Sequence, residues 1–381
     1  MKIGKILAVA AVATVFASCS NEEELANVGK SESNAIRFAG ISGLSDTRTT
    51  PIGTTNLTTT DFDVMAFMSS DNALFMGGKH VSGVSDHGVK IVYKTSAWDY
   101  ADPDQMAYWP TEGDVDFYAV SPAISDGLVL DNGFAYDMTS VAKTISYRTV
   151  DEYNTTGTNH DVMYAVAKGC NKVNNGTTAV QMNFKHILSQ VVFKAKTTSS
   201  ILEVDVENVE IHNFVHSGTF TLPADADEPA RSNWSLSPVV EGSYTVKLNA
   251  ANVVTKNTVV DLSDMASPLM VIPQELKKWS TYSAGAAVPK HEADTKKECY
   301  LEISMKLKQN DSYLIGSAAA YTTVYVPFDN GTGWEPGKRY IYTLIFGGGY
   351  DDNGEPILSP ITFDAATADW ADAGADVEVK F

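Results

Sequence analysis

Residues 61–68 read Asp-Phe-Asp-Val-Met-Ala-Phe-Met, a short run in which apolar residues recur at a spacing of two, as they do when one side of an extended chain is buried. Working outward, residues 89–93, 115–118 and 162–166 repeat the pattern, each bounded by turn-forming residues. Asn-Gly pairs at Asn132-Gly133, Asn175-Gly176, Asn330-Gly331 and Asn353-Gly354 supply the positive φ angles that tight hairpins need. A second set of runs covers 180–184, 190–195, 202–206, 209–211, 244–248, 269–272, 300–307, 322–326, 340–346 and 360–363. Long helices find no support; residues 274–279 and 365–373 could give a turn or two. The expected fold is therefore all-β, two antiparallel β-sandwiches in series, and the polar stretch 168–178 is the natural break, giving units over 49–175 and 176–381.

The N-terminal end has a different character. Residues 1–18 carry Lys2 and Lys5, an apolar run over 6–17, and small residues Ala17-Ser18 directly before Cys19, the pattern of a bacterial lipoprotein signal. Cys19 is then the expected lipid-attachment residue and outer-membrane lipid a partner. Ser20-Asn21-Glu22-Glu23-Glu24 follows as a solvated acidic spacer, like the export signal of lipoproteins sent to the outer face of the outer membrane. Residues 36–41, Ile-Arg-Phe-Ala-Gly-Ile, read as one strand, with Ile36, Phe38 and Ile41 as its apolar positions. Next, Arg48 stands in a polar loop where a trypsin-like protease could cut, separating segment 19–48 from the rest; the plain alternative is a solvated loop arginine.

The 381 residues are 44% hydrophobic and 20% charged, a globular composition. A leader holding two lysines and no acid, once removed, takes the formal charge from −19 to −21, which opposes binding to nucleic acid. Cys170 and Cys299 either pair or sit as buried thiols. His212 and His216 have metal-ligand spacing for a helix, but in a strand four residues span about 13 Å, so surface histidines are expected. His291-Glu292 lacks the second histidine of a metalloprotease motif, and the Asp351–Glu355 loop lacks EF-hand spacing. No nucleophile elbow, P-loop or dinucleotide fingerprint is present, so the expectation is a non-enzyme without cofactor or metal; a glycosidase carboxylate pair assembled in three dimensions stays open. Trp98, Trp109, Trp234, Trp334 and Trp370 either plug the sandwiches or form a sugar-stacking face.

With these residues set out, the chain resembles the fimbrillin-like, or type V pilin, family of lipoprotein-derived fimbrial subunits. The resemblance rests on Ile36-Arg37-Phe38 followed by Thr47-Arg48-Thr49-Thr50, on Tyr108-Trp109-Pro110 with residues 115–122 (VDFYAVSP), on residues 182–193 (MNFKHILSQVVF), on Val271-Ile272-Pro273-Gln274, and on residues 334–342 (WEPGKRYIY). It implies two tandem transthyretin-like sandwiches and other fimbrial subunits as head-to-tail partners. It also implies acylation at Cys19, cleavage at Arg48, and loss of strand 36–41 to open an apolar groove that another subunit's strand fills. The terminal run Asp376–Phe381 alternates Val377, Val379 and Phe381 with charged residues; it is either that donor or a strand of its own unit. The expected product is a surface-exposed lipoprotein that becomes part of a fimbrium with a role in adhesion. The rival reading is a monomeric surface glycan-binding lipoprotein, which would leave 36–41 loose and line an open face with aromatics.

Overall fold

The structure, a computed structural model, describes residues 34–42, 60–77, 88–124, 133–139, 141–149, 159–224, 228–237, 243–249, 253–255, 258–264, 268–279, 289–328, 331–347, 349–350, 356–357, 362–369 and 378–379. One sheet of eight strands runs in the order Phe38–Ser42, Val180–His186, Met163–Cys170, Val115–Ser121, Phe62–Met68, Val89–Lys94, Ala97–Tyr100, with Leu74–Met76 also beside Phe62–Met68. Its pairs are antiparallel except the first, in which Phe38–Ser42 runs parallel to Val180–His186 with Phe38 opposite Val180 and Gly40 opposite Met182.

The central strand Phe62–Met68 is buried on both faces, which is why Val-Met-Ala-Phe-Met is nearly continuous in apolar character. Phe62, Val64 and Ala66 enter one core with Ile36, Phe38, Phe117 and Met182. Met65 and Phe67 enter another, shared with a four-stranded sheet made of Trp234–Leu236, Ser217–Thr221, Thr144–Arg148 and Phe134–Asp137. Asp63 is the polar exception. Its Oδ2 accepts from the Ile124 amide at 2.8 Å and the Tyr136 hydroxyl at 2.9 Å, and that hydroxyl accepts from the Gly88 amide at 2.9 Å. Because Tyr136 belongs to the four-stranded sheet, one carboxyl ties both layers together. Burial, offset in part by these donors, pushes the Asp63 carboxyl up to about 7.

A third core lies between two six-stranded sheets. In one, Ser189–Thr197 runs parallel to Lys338–Phe346 and is flanked by Val260–Asp261 and Leu269–Val271; Thr362–Asp369 and Glu378–Val379 complete it on the other side. In the other, Leu202–His212 and Tyr300–Gln309 are central, with Ser243–Thr245, Val253–Thr255, Ser312–Ile315 and Thr322–Pro327 around them. Phe193, Val204, Ile303, Tyr342 and Leu344 meet between the layers. The protein is a layered all-β molecule of the sandwich type, as expected.

Several expectations need correction. Runs 202–206 and 209–211 are one strand, Leu202–His212, whose register against Tyr300–Gln309 shifts between Val206 and Asn208. A bulge there reverses the phase of the inward residues, which made one strand look like two. Asn175-Gly176 forms no hairpin: it ends the helical turn Lys172–Asn175, with Gly176 at φ −63°. Two-residue hairpin turns occur instead at Thr95-Ser96 (φ 45° and 84°) and Asn310-Asp311 (φ 47° and 69°). The expected break at 175/176 falls inside the eight-stranded sheet, since Val180–His186 pairs with Met163–Cys170, and Ser217–Thr221 with Trp234–Leu236 joins the four-stranded sheet. The alanine-rich stretch near 365 is the strand Thr362–Asp369, paired over eight positions with Lys338–Phe346, because tertiary pairing overrides the helical preference of alanine. Residues 274–277 are irregular, and the helix Pro289–Lys296 was not anticipated.

Candidate functional site

The first strand is built into the core. Ile36 and Phe38 are 0% and 4% exposed, whereas Arg37 between them points to solvent, the alternation expected of a strand with one buried face. The segment is gripped from two sides. The Ile36 amide donates to the Ala107 carbonyl at 2.9 Å and the Trp109 amide to the Asn34 carbonyl at 3.1 Å, while the Val180 amide donates to the Arg37 carbonyl at 2.7 Å. The Tyr100 hydroxyl donates to the Ile36 carbonyl at 3.0 Å, and the Phe38 ring lies edge-on to Tyr100 and Phe117 at 6.1 and 5.5 Å. Burial pushes the Tyr100 phenol up, so it stays a donor across the physiological range. Lifting residues 34–42 away would expose Tyr100, Trp109, Phe117, Val180 and Met182, an apolar trough with unpaired backbone groups along the Val180–His186 edge.

Of the other positions singled out by sequence, Cys19, Arg48, Val377 and Phe381 lie outside the described residues, and Ile41 is placed only by its backbone, opposite Asn183. Val379 pairs with Ala365 of its own chain, and Glu378 with Ala366, at the edge of a six-stranded sheet. Cys170 and Cys299 are buried and not joined by a disulfide, and burial pushes the Cys170 thiol up to about 11.

Neither His212 nor His216 is an exposed surface histidine. His216 is buried, and His212 stacks on Tyr300 at 4.6 Å with its Nε2 3.2 Å from Glu302 and 3.4 Å from Glu210. Among the described residues no group of His, Cys, Asp and Glu could hold a metal. Trp109, Trp234, Trp279 and Trp334 are buried, and the exposed aromatics are Tyr93 at 38% and Tyr313 at 37%, so the described residues contain no open tryptophan face of the kind the glycan-binding reading needs. No described helix is long and apolar enough to cross a membrane.

Sequence reading passed over Tyr100, and it named Trp98 only as a general plug or stacking residue. Tyr100 and Trp98 embrace the first strand; the sign was an aromatic pair two apart in a short hairpin arm, which puts both rings on one face. Gln274, named in that reading only within a family motif, has a bonding role that the sequence does not display. Its Nε2 donates to the carbonyls of Val215 at 2.6 Å and Ile272 at 3.1 Å, its Oε1 accepts from the Val215 amide at 2.9 Å, and its carbonyl accepts from the Trp334 amide at 2.8 Å.

A sheet-on-sheet molecule whose first strand is packed into its core belongs to the class of β-sandwich proteins. The fimbrillin-like family profile matches residues 47–370, and the chain belongs to that family. No curated protein matches it. Among solved structures, the chain is similar to a candidate cell adhesion protein of Bacteroides uniformis (TM-score 0.45, 12% identity, covering 89% of this chain and 99% of that one). It is also similar to a candidate cell adhesion protein of Bacteroides eggerthii (0.42, 13%, 88% and 96%) and to a fimbrilin of Porphyromonas gingivalis (0.40, 9%, 88% and 97%).

Proposed function

We propose that this chain is a subunit of a cell-surface fimbria, exported as a lipoprotein acylated at Cys19 and assembled by strand exchange after a trypsin-like protease cuts at Arg48. The observation that carries this reading is the first strand itself. It fills the core with Ile36 and Phe38, yet it pairs parallel to Val180–His186. A parallel neighbour needs no tight turn to its partner, so a cut in the connection leaves the sheet intact on one side. The vacated trough would take an extended segment of a second copy, and residues 377–381 have the alternation for it. Such a contact is head-to-tail and need not close, which yields a filament. Membership of the fimbrillin-like family supports the same role and a non-enzymatic one.

The test is assembly in vitro. Full-length protein cut after Arg48 should form ladders of oligomers, uncut protein should stay monomeric, and cut protein lacking residues 376–381 should stay monomeric as well. Oligomers from the uncut chain would refute the order of events, and oligomers from the shortened chain would remove residues 377–381 as donor.

A further inference from the structure

The slot occupied by the first strand is read at alternate positions by one short arm, Ala97–Tyr100. Tyr100 takes the Ile36 carbonyl and the Phe38 ring, and two residues earlier Trp98 lies over Gly40. A Cβ built on Gly40 would stand 3.0 Å from both Cε2 and Cζ2 of Trp98 and 3.2 Å from its Nε1, inside the usual carbon–carbon contact distance. Gly40 sits in a paired strand, so the position asks for space and not for unusual dihedral angles. Trp98 is itself wedged: Phe62 lies 4.8 Å away and Tyr93 5.4 Å away, ring to ring. Phe62 is wholly buried and leans on Phe184 at 5.1 Å, so the indole cannot yield toward Phe62, while its other neighbour Tyr93 is exposed.

We propose that Trp98 is a specificity-determining residue, refusing strands that place a side chain larger than glycine at the position of Gly40, two residues after the one that fills the place of Phe38. The proposal rests on the strand-exchange reading and sharpens it. Entering in the direction of the strand it replaces, the 377–381 segment of a second copy can set Val379 in the place of Ile36 and Phe381 in that of Phe38. The register that sets Val377, Val379 and Phe381 on Ile36, Phe38 and Gly40 drives a phenyl ring into Trp98. The partner strand is therefore selected in register as well as in composition.

The experiment uses the full chain with a sequence-specific protease site in place of residues 47–50, cut and carrying a fluorophore near residue 34. Peptides matching residues 34–42, one native and one with Gly40→Val, compete for the slot, and release of the labelled strand is followed by polarisation. The native peptide should exchange. The Gly40→Val peptide should compete about 10- to 100-fold less well, the range that forcing extra carbons into a filled site produces. A Trp98→Ala chain should accept the two peptides within about threefold of each other. A Gly40→Val peptide that competes equally on the unsubstituted chain overturns the role of Trp98 while strand exchange stands. A native peptide that never exchanges overturns strand exchange and the filter together. The two-peptide comparison on the unsubstituted chain decides the matter even where the Trp98 variant does not fold.

Discussion

Phe38→Ala is the sharpest probe of whether the first strand belongs to the core. The Phe38 side chain is 4% exposed and sits edge-on to Tyr100 and Phe117. Truncating a buried phenylalanine costs about 3–5 kcal/mol, combining lost transfer energy with the cavity left behind, and two aromatic neighbours put this site toward the upper end. The adjacent Arg37 is exposed and supplies a built-in control, since Arg37→Ala should change stability by less than about 0.5 kcal/mol. In urea, with a slope of about 2–3 kcal/mol per molar, Phe38→Ala should lower the midpoint by roughly 1–2 M without changing the slope. Hydrogen exchange gives an independent reading, because the Val180 amide is protected by the Arg37 carbonyl at 2.7 Å and should lose that protection first. A Phe38→Ala midpoint no different from that of Arg37→Ala would mean that the strand is an ornament on a finished sheet, and the trough argument would fail with it.

Three further outcomes are expected. The Asp63 carboxyl holds its proton to about pH 7 in the folded chain but only to about pH 4 when unfolded, so the folded state binds the extra proton between those values and stability falls as pH climbs from 4 to 7, levelling above; Asp63→Asn, which keeps an oxygen for Ile124 and Tyr136, should flatten that slope in urea midpoints taken from pH 4.5 to 8, and an unchanged slope would sink the assignment. Labelled palmitate should mark the wild type and leave Cys19→Ala unmarked; equal labelling would place the anchor elsewhere. Gln274→Ala should cost about 1–3 kcal/mol by orphaning the partly buried backbone groups at Val215, seen as a lower thermal midpoint, and a neutral result would show that water replaces the amide there.

What was legible in the sequence was local: alternation over 115–118, 180–184, 300–307 and 340–346 became strands because one buried face writes itself into every second residue. What was not legible was pairing between distant segments. Nothing near residue 180 says that Val180–His186 will lie beside Phe38–Ser42, and the polar stretch before it imitates a linker while it merely turns one strand of the sheet into the next. Short pieces such as Phe134–Asp137, Thr144–Arg148 and Trp234–Leu236 have too few residues to display a period, and they owe their form to the core they cover. The histidine reading failed for a related reason, since only the cross-strand partner of His212 reveals that its ring stacks on Tyr300.

The described pieces on which the family resemblance rests fall, in space, into two groups. Ile36 and Phe38, Trp109, Phe117, and Met182 with Phe184 share the core around the first strand. The others meet where Gly337 donates to the Leu188 carbonyl at 2.8 Å, Ser189 to the Glu335 carbonyl at 2.8 Å, and Trp334 to the Gln274 carbonyl at 2.8 Å; Gly337, at φ 67°, makes the reversal that brings Lys338–Phe346 alongside Ser189–Thr197. The second group binds the later sheets to the earlier ones, while the first holds a strand that the proposed assembly discards. A resident strand on an intact chain competes for its own slot at an effective concentration in the millimolar range, far above that of any free subunit. Under the proposed mechanism a donor of similar apolar content gains little by displacing it, because burying Ile36 and Phe38 contributes roughly 3–6 kcal/mol to either arrangement. Cutting the connection removes the concentration term without touching the slot. Assembly then needs no new affinity, only the loss of the tethered competitor, and a snug slot around Ile36, Phe38 and Gly40 serves both states equally.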